Sequence, residues 1–257
     1  MDASTHPAPQ PDRGRVLRAF NASLAFVFLL LVVFVSQPTL DVGALAVSPR
    51  DFGQWLGLIA APLLHGSAEH LAANAGAILI LGTLAGAVYP RATLRALPLL
   101  WLGSGLGAWL LGEAGSRHLG ASGLTHGLMF MIAVLGLRRR DRASIAAGMI
   151  GFLFYGGMLL TVLPHEPGIS WQSHLGGGLA GVLAGLLWWR ADPLPPRQRY
   201  SWEDEEEEAM TLAARDAGEL EPVAPREVPV LWQRPQPPSR GVVLRFTPRP
   251  RPGPPEE

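Results

Sequence analysis

The sequence predicts an all-α, polytopic membrane protein, with six transmembrane helices in a bundle and a mostly disordered cytoplasmic C-terminal tail. Three observations predict it. The chain of 257 residues is 48% hydrophobic and only 16% charged, with a positive mean hydropathy, which separates it from ordinary soluble domains. Its apolar residues gather in runs long enough to cross the hydrocarbon core, at 17–36, 68–88, 93–112, 121–137, 143–163 and 173–190. Arginine clusters punctuate alternate gaps between those runs. The runs are too long and continuous for the alternating ten-residue pattern of a membrane barrel, so strands are set aside.

Residues 1–16 form a cytoplasmic N-terminal segment, and 17–190 the membrane domain. Arg13, Arg15 and Arg18 precede the first run, which is longer than a signal-peptide core and lacks a small-residue cleavage site, so it reads as a retained span. Arg91 and Arg95 lie between spans 2 and 3; Arg138, Arg139, Arg140 and Arg142 lie between spans 4 and 5. The positive-inside rule makes that side the cytoplasm, with both termini there, and spans 2, 4 and 6 then enter from the outer face. The outer loops hold only Arg50 and Arg117 as basic residues of this kind. In the long first outer loop, 37–66, the stretch Trp55 to Leu64 reads as a short interfacial segment.

The sequence Asp192-Pro193-Leu194-Pro195-Pro196 ends the membrane domain. The remainder, 191–257, is a Pro-rich acidic tail with one short helix near 201–215, begun by Ser201 and Asp204 at capping-box spacing. Beyond it, Val228 to Trp232 and Val242 to Phe246 supply too little apolar surface for a core, which points to disorder or dependence on a partner. Acids are scarce up to residue 190 and crowd into the tail, including Glu205 to Glu208, so the net charge of zero describes neither half. Cysteine is absent, which excludes disulfides, thiolate nucleophiles and Cys-ligated metals. Arginine without any lysine, together with abundant Ala, Gly and Pro, reads as the coding bias of a GC-rich bacterium and suggests its inner (plasma) membrane.

Polar groups at membrane depth are costly and are functional candidates by default. His65, His70 and Asn74 stand at the start of span 2. Gly120-Ala121-Ser122-Gly123 and His126 open span 4, and His174-Leu175-Gly176-Gly177-Gly178 opens span 6. All enter from one face and share one depth. Gly123 and Gly127, and Gly177, Gly181 and Gly185, recur every four residues, and such stripes let helices approach closely. A close crossing of spans 4 and 6 would set the His174 imidazole beside the Ser122 hydroxyl. Serine needs a base to become a nucleophile, and the helix N-terminus beside it offers free N–H groups to a developing oxyanion. His70 and Asn74, at i and i+4 on one face of span 2, can donate further hydrogen bonds. No buried acid is at hand to orient His174, so the reading is a Ser/His dyad and not a triad.

His65-Gly66-Ser67-Ala68-Glu69-His70 with Asn74, Gly120-Ala121-Ser122-Gly123, and His174 with Gly177, on spans 2, 4 and 6, resemble the rhomboid family of intramembrane serine proteases. The resemblance implies Ser122 as nucleophile and His174 as general base and acid. It also implies an oxyanion site built from His70, Asn74 and the Ser122 backbone N–H, with Gly120, Gly123 and Gly177 as supporting glycines. It implies cleavage of transmembrane protein substrates near their outer ends, without a cofactor. The chain departs from the family pattern at three points. Trp55 is followed by Leu56 where the family carries a Trp-Arg pair. A glutamate usual near the inner end of span 2 is replaced around Tyr89. His126 stands where an aromatic residue usually stacks on the catalytic histidine.

Rival readings stay open at this level. Taken alone, Ser122 reads more readily as a packing serine than as a nucleophile, and Asn74 as an interhelical hydrogen-bonder. His65 and His118 read as interfacial or structural, His6 and His165 as solvent-facing. His65, His70, His126 and His174 are enough imidazoles for zinc, yet the spacing of His65, Glu69 and His70 puts the two histidines on different helix faces, and no metal is assigned. A catalytically silent relative that binds transmembrane helices is the remaining alternative, although neither the serine nor the histidine is replaced. The partners expected are transmembrane substrates, the lipid bilayer and a cytoplasmic partner for the tail; nothing points to nucleic acid.

Overall fold

The computed structural model describes residues 13–164, 168–194 and 200–220. His6, His165 and the stretches 228–232 and 242–246 lie outside the described residues. The chain forms two compact units, dividing between Pro196 and Arg197. Among the described residues the fold is all-helical, apart from one isolated antiparallel bridge between Val47 and His118.

Six long helices build the first unit: α1 (Arg13–Ser36), α2 (Ala68–Val88), α3 (Pro90–Leu111), α4 (Ser122–Arg139), α5 (Arg142–Val162) and α6 (Trp171–Trp188). The described part of the second unit is one helix, α7 (Ser201–Leu220), acidic in its first turn where negative charge favours the helix dipole.

Local chemistry sets the ends of the long helices. Ser67 Oγ accepts the His70 backbone N–H at 3.1 Å to start α2. Pro90 at the first helical position starts α3 three residues before the apolar run does. Asp141 caps α5 by accepting the Ser144 N–H at 3.0 Å, and hydrogen bonds from Ser144 and Arg139 hold its carboxyl below the usual range although burial works the other way. Arg140, at φ 55°, turns the chain out of α4 in the left-handed conformation. Within α2 the segment Ile78–Gly82 is a π turn, and α5 tightens to 3₁₀ geometry over Gly156–Val162.

Among the described residues four helices are long and apolar enough to cross a membrane: α1, extended to Thr39, α2, α3 and α5. On α1, α3 and α5 many large apolar side chains face outward, whereas α2 has none exposed. Phe28, Val35, Phe152 and Leu153 are all exposed, an arrangement that water would penalise and a bilayer accommodates. The chain is therefore an integral membrane protein. The two 18-residue helices α4 and α6 carry glycines and polar residues in their first turns; α4 is largely buried, whereas α6 buries its glycine face and leaves Leu179, Leu183, Leu186 and Leu187 exposed.

At the arginine-rich end, the chain leaving α6 closes back on the bundle. The buried Asp192 carboxylate accepts the backbone N–H groups of Arg91 and Ala92 at 3.0 Å each, capping α3 across a hundred residues of sequence. Arg139 Nη1 donates to the Asp192 carbonyl at 2.8 Å. Replacing Asp192 with alanine strands two first-turn donors, which should cost about 1–3 kcal/mol. A lower thermal midpoint in neutral detergent is the expected result, and an unchanged midpoint would contradict the assigned clasp.

The first long loop is folded as short turns, Phe52–Gln54, Gly57–Ala60 and Ala61–Leu63. Arg117 staples it through Gly43 O, Ser48 Oγ and Gln54 Oε1. Trp101 Nε1 donates to Ile59 O at 3.0 Å, while Phe52 and Trp55 stand exposed on the loop's outer side.

Candidate active site

Glycine against backbone is what brings α4, α6 and α3 together. A Cβ on Gly177 would overlap the Gly123 carbonyl oxygen, one on Gly181 would overlap that of Gly127, and one on Gly176 would overlap that of Gly103. Helix α6 therefore presents two glycine faces, one to α4 and one to α3, and both neighbours come to backbone contact. The first turns of α4 and α6 are thereby fixed side by side.

Within those turns Ser122 Oγ lies 2.9 Å from His174 Nε2. His174 Nδ1 lies 2.9 Å from the Thr161 carbonyl oxygen. A carbonyl can only accept, so Nδ1 carries the proton and Nε2 presents its lone pair to the serine hydroxyl. Thr161, at the end of α5, thus does for the imidazole what a buried acid does in a triad, through backbone alone. The sequence offers no signal for it, because a main-chain acceptor has no side-chain signature.

His126 lies flat on His174, with ring centroids 3.9 Å apart and planes 14° from parallel. Its Nδ1 donates to the Ser122 carbonyl at 2.7 Å, and its Nε2 faces the Thr161 hydroxyl at 2.9 Å. That hydroxyl also faces Met158 O at 3.0 Å and can donate to one of the two at a time. The stacking position is thus filled by an imidazole held through Nδ1, with Nε2 facing the shared Thr161 hydroxyl.

Gly120, which leads into α4, has φ +115° and stands against the His70 ring; a Cβ there would lie 2.6 Å from His70 Cε1. Both the backbone angle and the space require glycine. Ser122 is the first residue of α4, where backbone N–H groups have no intrahelical acceptor. Asn74 is buried, and its Nδ2 has no hydrogen-bond partner among the described residues. Ser122, His174, His70 and Asn74 all line one open cavity of about 1200 Å³. Gln172 lines it as well, with a buried Oε1 that also lacks a partner; sequence reasoning passed over it because one glutamine in a glycine-rich turn carries no pattern.

The histidine that opens the motif sits differently from the sequence expectation. His65 precedes α2 and does not occupy another face of it; its ring meets that of His70 edge-on at 5.1 Å. It is buried, neither ring nitrogen has a partner among the described residues, and burial with the neighbouring His70 lowers its pKa to about 4. An unfolded histidine takes up its proton near pH 6.5, so between pH 6.5 and 4 the unfolded chain binds more protons and stability falls as pH falls, by up to about 3 kcal/mol. A His65→Leu variant should show a shallower loss of thermal midpoint across that window, and an identical slope would contradict the placement. His118, buried and lowered in pKa by that burial, bridges Ser116 Oγ at 2.8 Å and Ser170 Oγ at 2.7 Å, fixing the cap of α6. For the metal reading, the stacked rings of His126 and His174 cannot aim lone pairs at one ion. Among the described residues no three His, Asp or Glu side chains are grouped to hold one.

An apolar helical bundle carrying a serine hydroxyl hydrogen-bonded to an imidazole, at the ends of two glycine-packed helices, defines an integral membrane protein with its polar chemistry enclosed among helices. A rhomboid domain model matches residues 52–191. The uncharacterized protein Rv1337 of Mycobacterium tuberculosis strain H37Rv is 39% identical over 176 residues, covering 64% of this chain and 72% of that one. The uncharacterized protein ML1171 of Mycobacterium leprae is 36% identical over 194 residues, covering 70% and 76%. The chain belongs to the rhomboid family.

Proposed function

We propose that the chain is an intramembrane serine endopeptidase that cleaves transmembrane protein substrates near the outer membrane face through Ser122 and His174. The observation that carries this reading is the 2.9 Å contact from Ser122 Oγ to His174 Nε2, with the imidazole tautomer fixed by Thr161 O. The family, generally one of serine intramembrane proteases, agrees with it.

The chemistry follows from the atoms present. As Ser122 Oγ attacks a substrate carbonyl carbon, its proton passes to His174 Nε2. The carbonyl oxygen becomes an oxyanion within reach of the Ser122 N–H, Asn74 Nδ2 and His70. When the C–N bond breaks, His174 returns the proton to the leaving amine and an acyl-enzyme remains. Water entering through the open cavity gives a proton to His174 and attacks the ester, and that proton then restores the serine. In this reading all six long helices cross the bilayer. The two shorter ones are about 27 Å long at 1.5 Å per residue, and α6 turns its exposed leucines, Leu179, Leu183, Leu186 and Leu187, to the lipid. Both termini face the cytoplasm of a bacterial inner membrane, and the tail beyond residue 190 is a cytoplasmic segment available to a partner protein.

The test is reconstitution of the full chain in liposomes with a panel of single-span substrates having helix-destabilising residues near their outer ends, the new termini being located by mass spectrometry. Scission near the outer end is expected. Stable capture of the substrates without scission would favour the catalytically silent reading.

A further inference from the structure

The ring stacked on His174 is an imidazole, and its two nitrogens bring hydrogen bonds that a phenyl ring in the same space would lack. His126 is only 2% exposed, so both nitrogens need partners. Nδ1 donates to the Ser122 carbonyl, and in the neutral ring Nε2 is then a bare lone pair. The Thr161 hydroxyl, 2.9 Å away, is the donor that meets it among the described residues. Met158 O competes for that hydroxyl, but it lies within a 3₁₀ turn, whose carbonyls are served by N–H groups three residues on. Thr161 thus serves both stacked rings, its hydroxyl donating to His126 and its carbonyl accepting from His174 Nδ1. Four hydrogen bonds close a circuit that leaves Ser122 at Oγ, passes through His174, Thr161 and His126, and returns to Ser122 at its carbonyl.

The circuit matters because packing alone does not fix the Thr161 carbonyl. The segment Gly156–Val162 that carries it holds no buried residue, whereas Ser122 and His174 stand on helices in backbone contact. We propose that His126 and the Thr161 hydroxyl are positioning residues for the base: they tie the end of α5 to α4, so that Thr161 O stays on His174 Nδ1 and the Nε2 lone pair stays on Ser122. The proposal rests on the Ser/His reading given above. Neither His126 nor Thr161 lines the serine cavity, so both act through His174 and not on the substrate. A ring without nitrogens at position 126 would keep the stack and lose the tie, leaving His174 free to carry its proton on Nε2, where it cannot accept the serine proton.

The test uses the full chain in liposomes with two variants. His126→Phe keeps a ring to stack and removes both nitrogens; Thr161→Val keeps the carbonyl and removes the hydroxyl. Solid-state nitrogen-15 spectra of histidine-labelled protein, with the His174 signals assigned by their loss in His174→Ala, report which ring nitrogen carries the proton. In the parent the proton should sit on Nδ1 alone, and in each variant His174 should divide between the Nδ1–H and Nε2–H forms. Cleavage of a transmembrane substrate should fall about ten- to hundredfold in kcat, with KM unchanged. The double variant should lose no more than either single one, and Thr161→Ser should recover most of the rate lost in Thr161→Val. A parent-like His174 tautomer in both variants, losses that multiply, or a lower thermal midpoint with tautomer and kcat unchanged would each overturn the proposal. Tautomer shifts in a chain that cleaves no substrate would support the circuit while refuting the protease reading.

Discussion

Replacing Ser122 with alanine is expected to reduce cleavage of a transmembrane substrate by about four orders of magnitude or more, and replacing His174 with alanine by a similar factor. In the proposed mechanism each change removes one end of the same proton transfer, across the 2.9 Å contact between Ser122 Oγ and His174 Nε2. Once the serine is gone, the imidazole has no hydroxyl to deprotonate; once the imidazole is gone, the hydroxyl has no acceptor. The double variant should therefore be no slower than either single one, in contrast to independent residues whose effects multiply. Rates measured in the same liposomes for the two single variants and the double one check this. Multiplying losses would show that the two side chains do not act as a unit.

The second large effect concerns the glycines that make the contact possible. In Gly177→Ala the new methyl overlaps the Gly123 carbonyl oxygen and lies 3.1 Å from the Gly123 Cα, and backbone on a packed helix has no rotamer through which to yield. The helices must part or the bundle must distort, at a cost of about 3 kcal/mol or more. Gly177 lies one turn beyond His174, so separation there also lengthens the serine-imidazole contact, and a misplacement of about 1 Å suffices for a hundredfold loss of rate. Gly157→Ala is the control. A Cβ at Gly157 meets nothing within 4 Å, and stability should stay within about 1 kcal/mol of the parent. A Gly177→Ala protein that is as stable and as active as Gly157→Ala would contradict the packing account.

Much of this architecture was legible in the sequence. The long helices follow the apolar runs, because a bilayer forces each spanning backbone to satisfy its own hydrogen bonds and so leaves the periodicity little to compete with. The approach of α4 to α6 was readable from glycines at four-residue spacing, and Ser122, His174, His70 and Asn74 from their polarity at shared depth. What escaped the sequence was of three kinds. Backbone partners leave no trace in residue type, so the role of Thr161 O beside His174 Nδ1 could not be seen. Long-range caps join positions that no local window covers, as Asp192 does with Arg91 and Ala92. Ends set by one residue shift a boundary, as Pro90 does at the start of α3. His65 was placed by counting along a helix that in fact begins only at Ala68.

The proton-transfer pair is tested most directly by labelling the folded, detergent-solubilised chain with a fluorophosphonate and locating the adduct by mass spectrometry. The label should fall on Ser122, disappear in Ser122→Ala, and fall sharply in His174→Ala, with thermal unfolding showing that both variants are folded. Labelling that persists in a folded Ser122→Ala protein would place the nucleophile elsewhere.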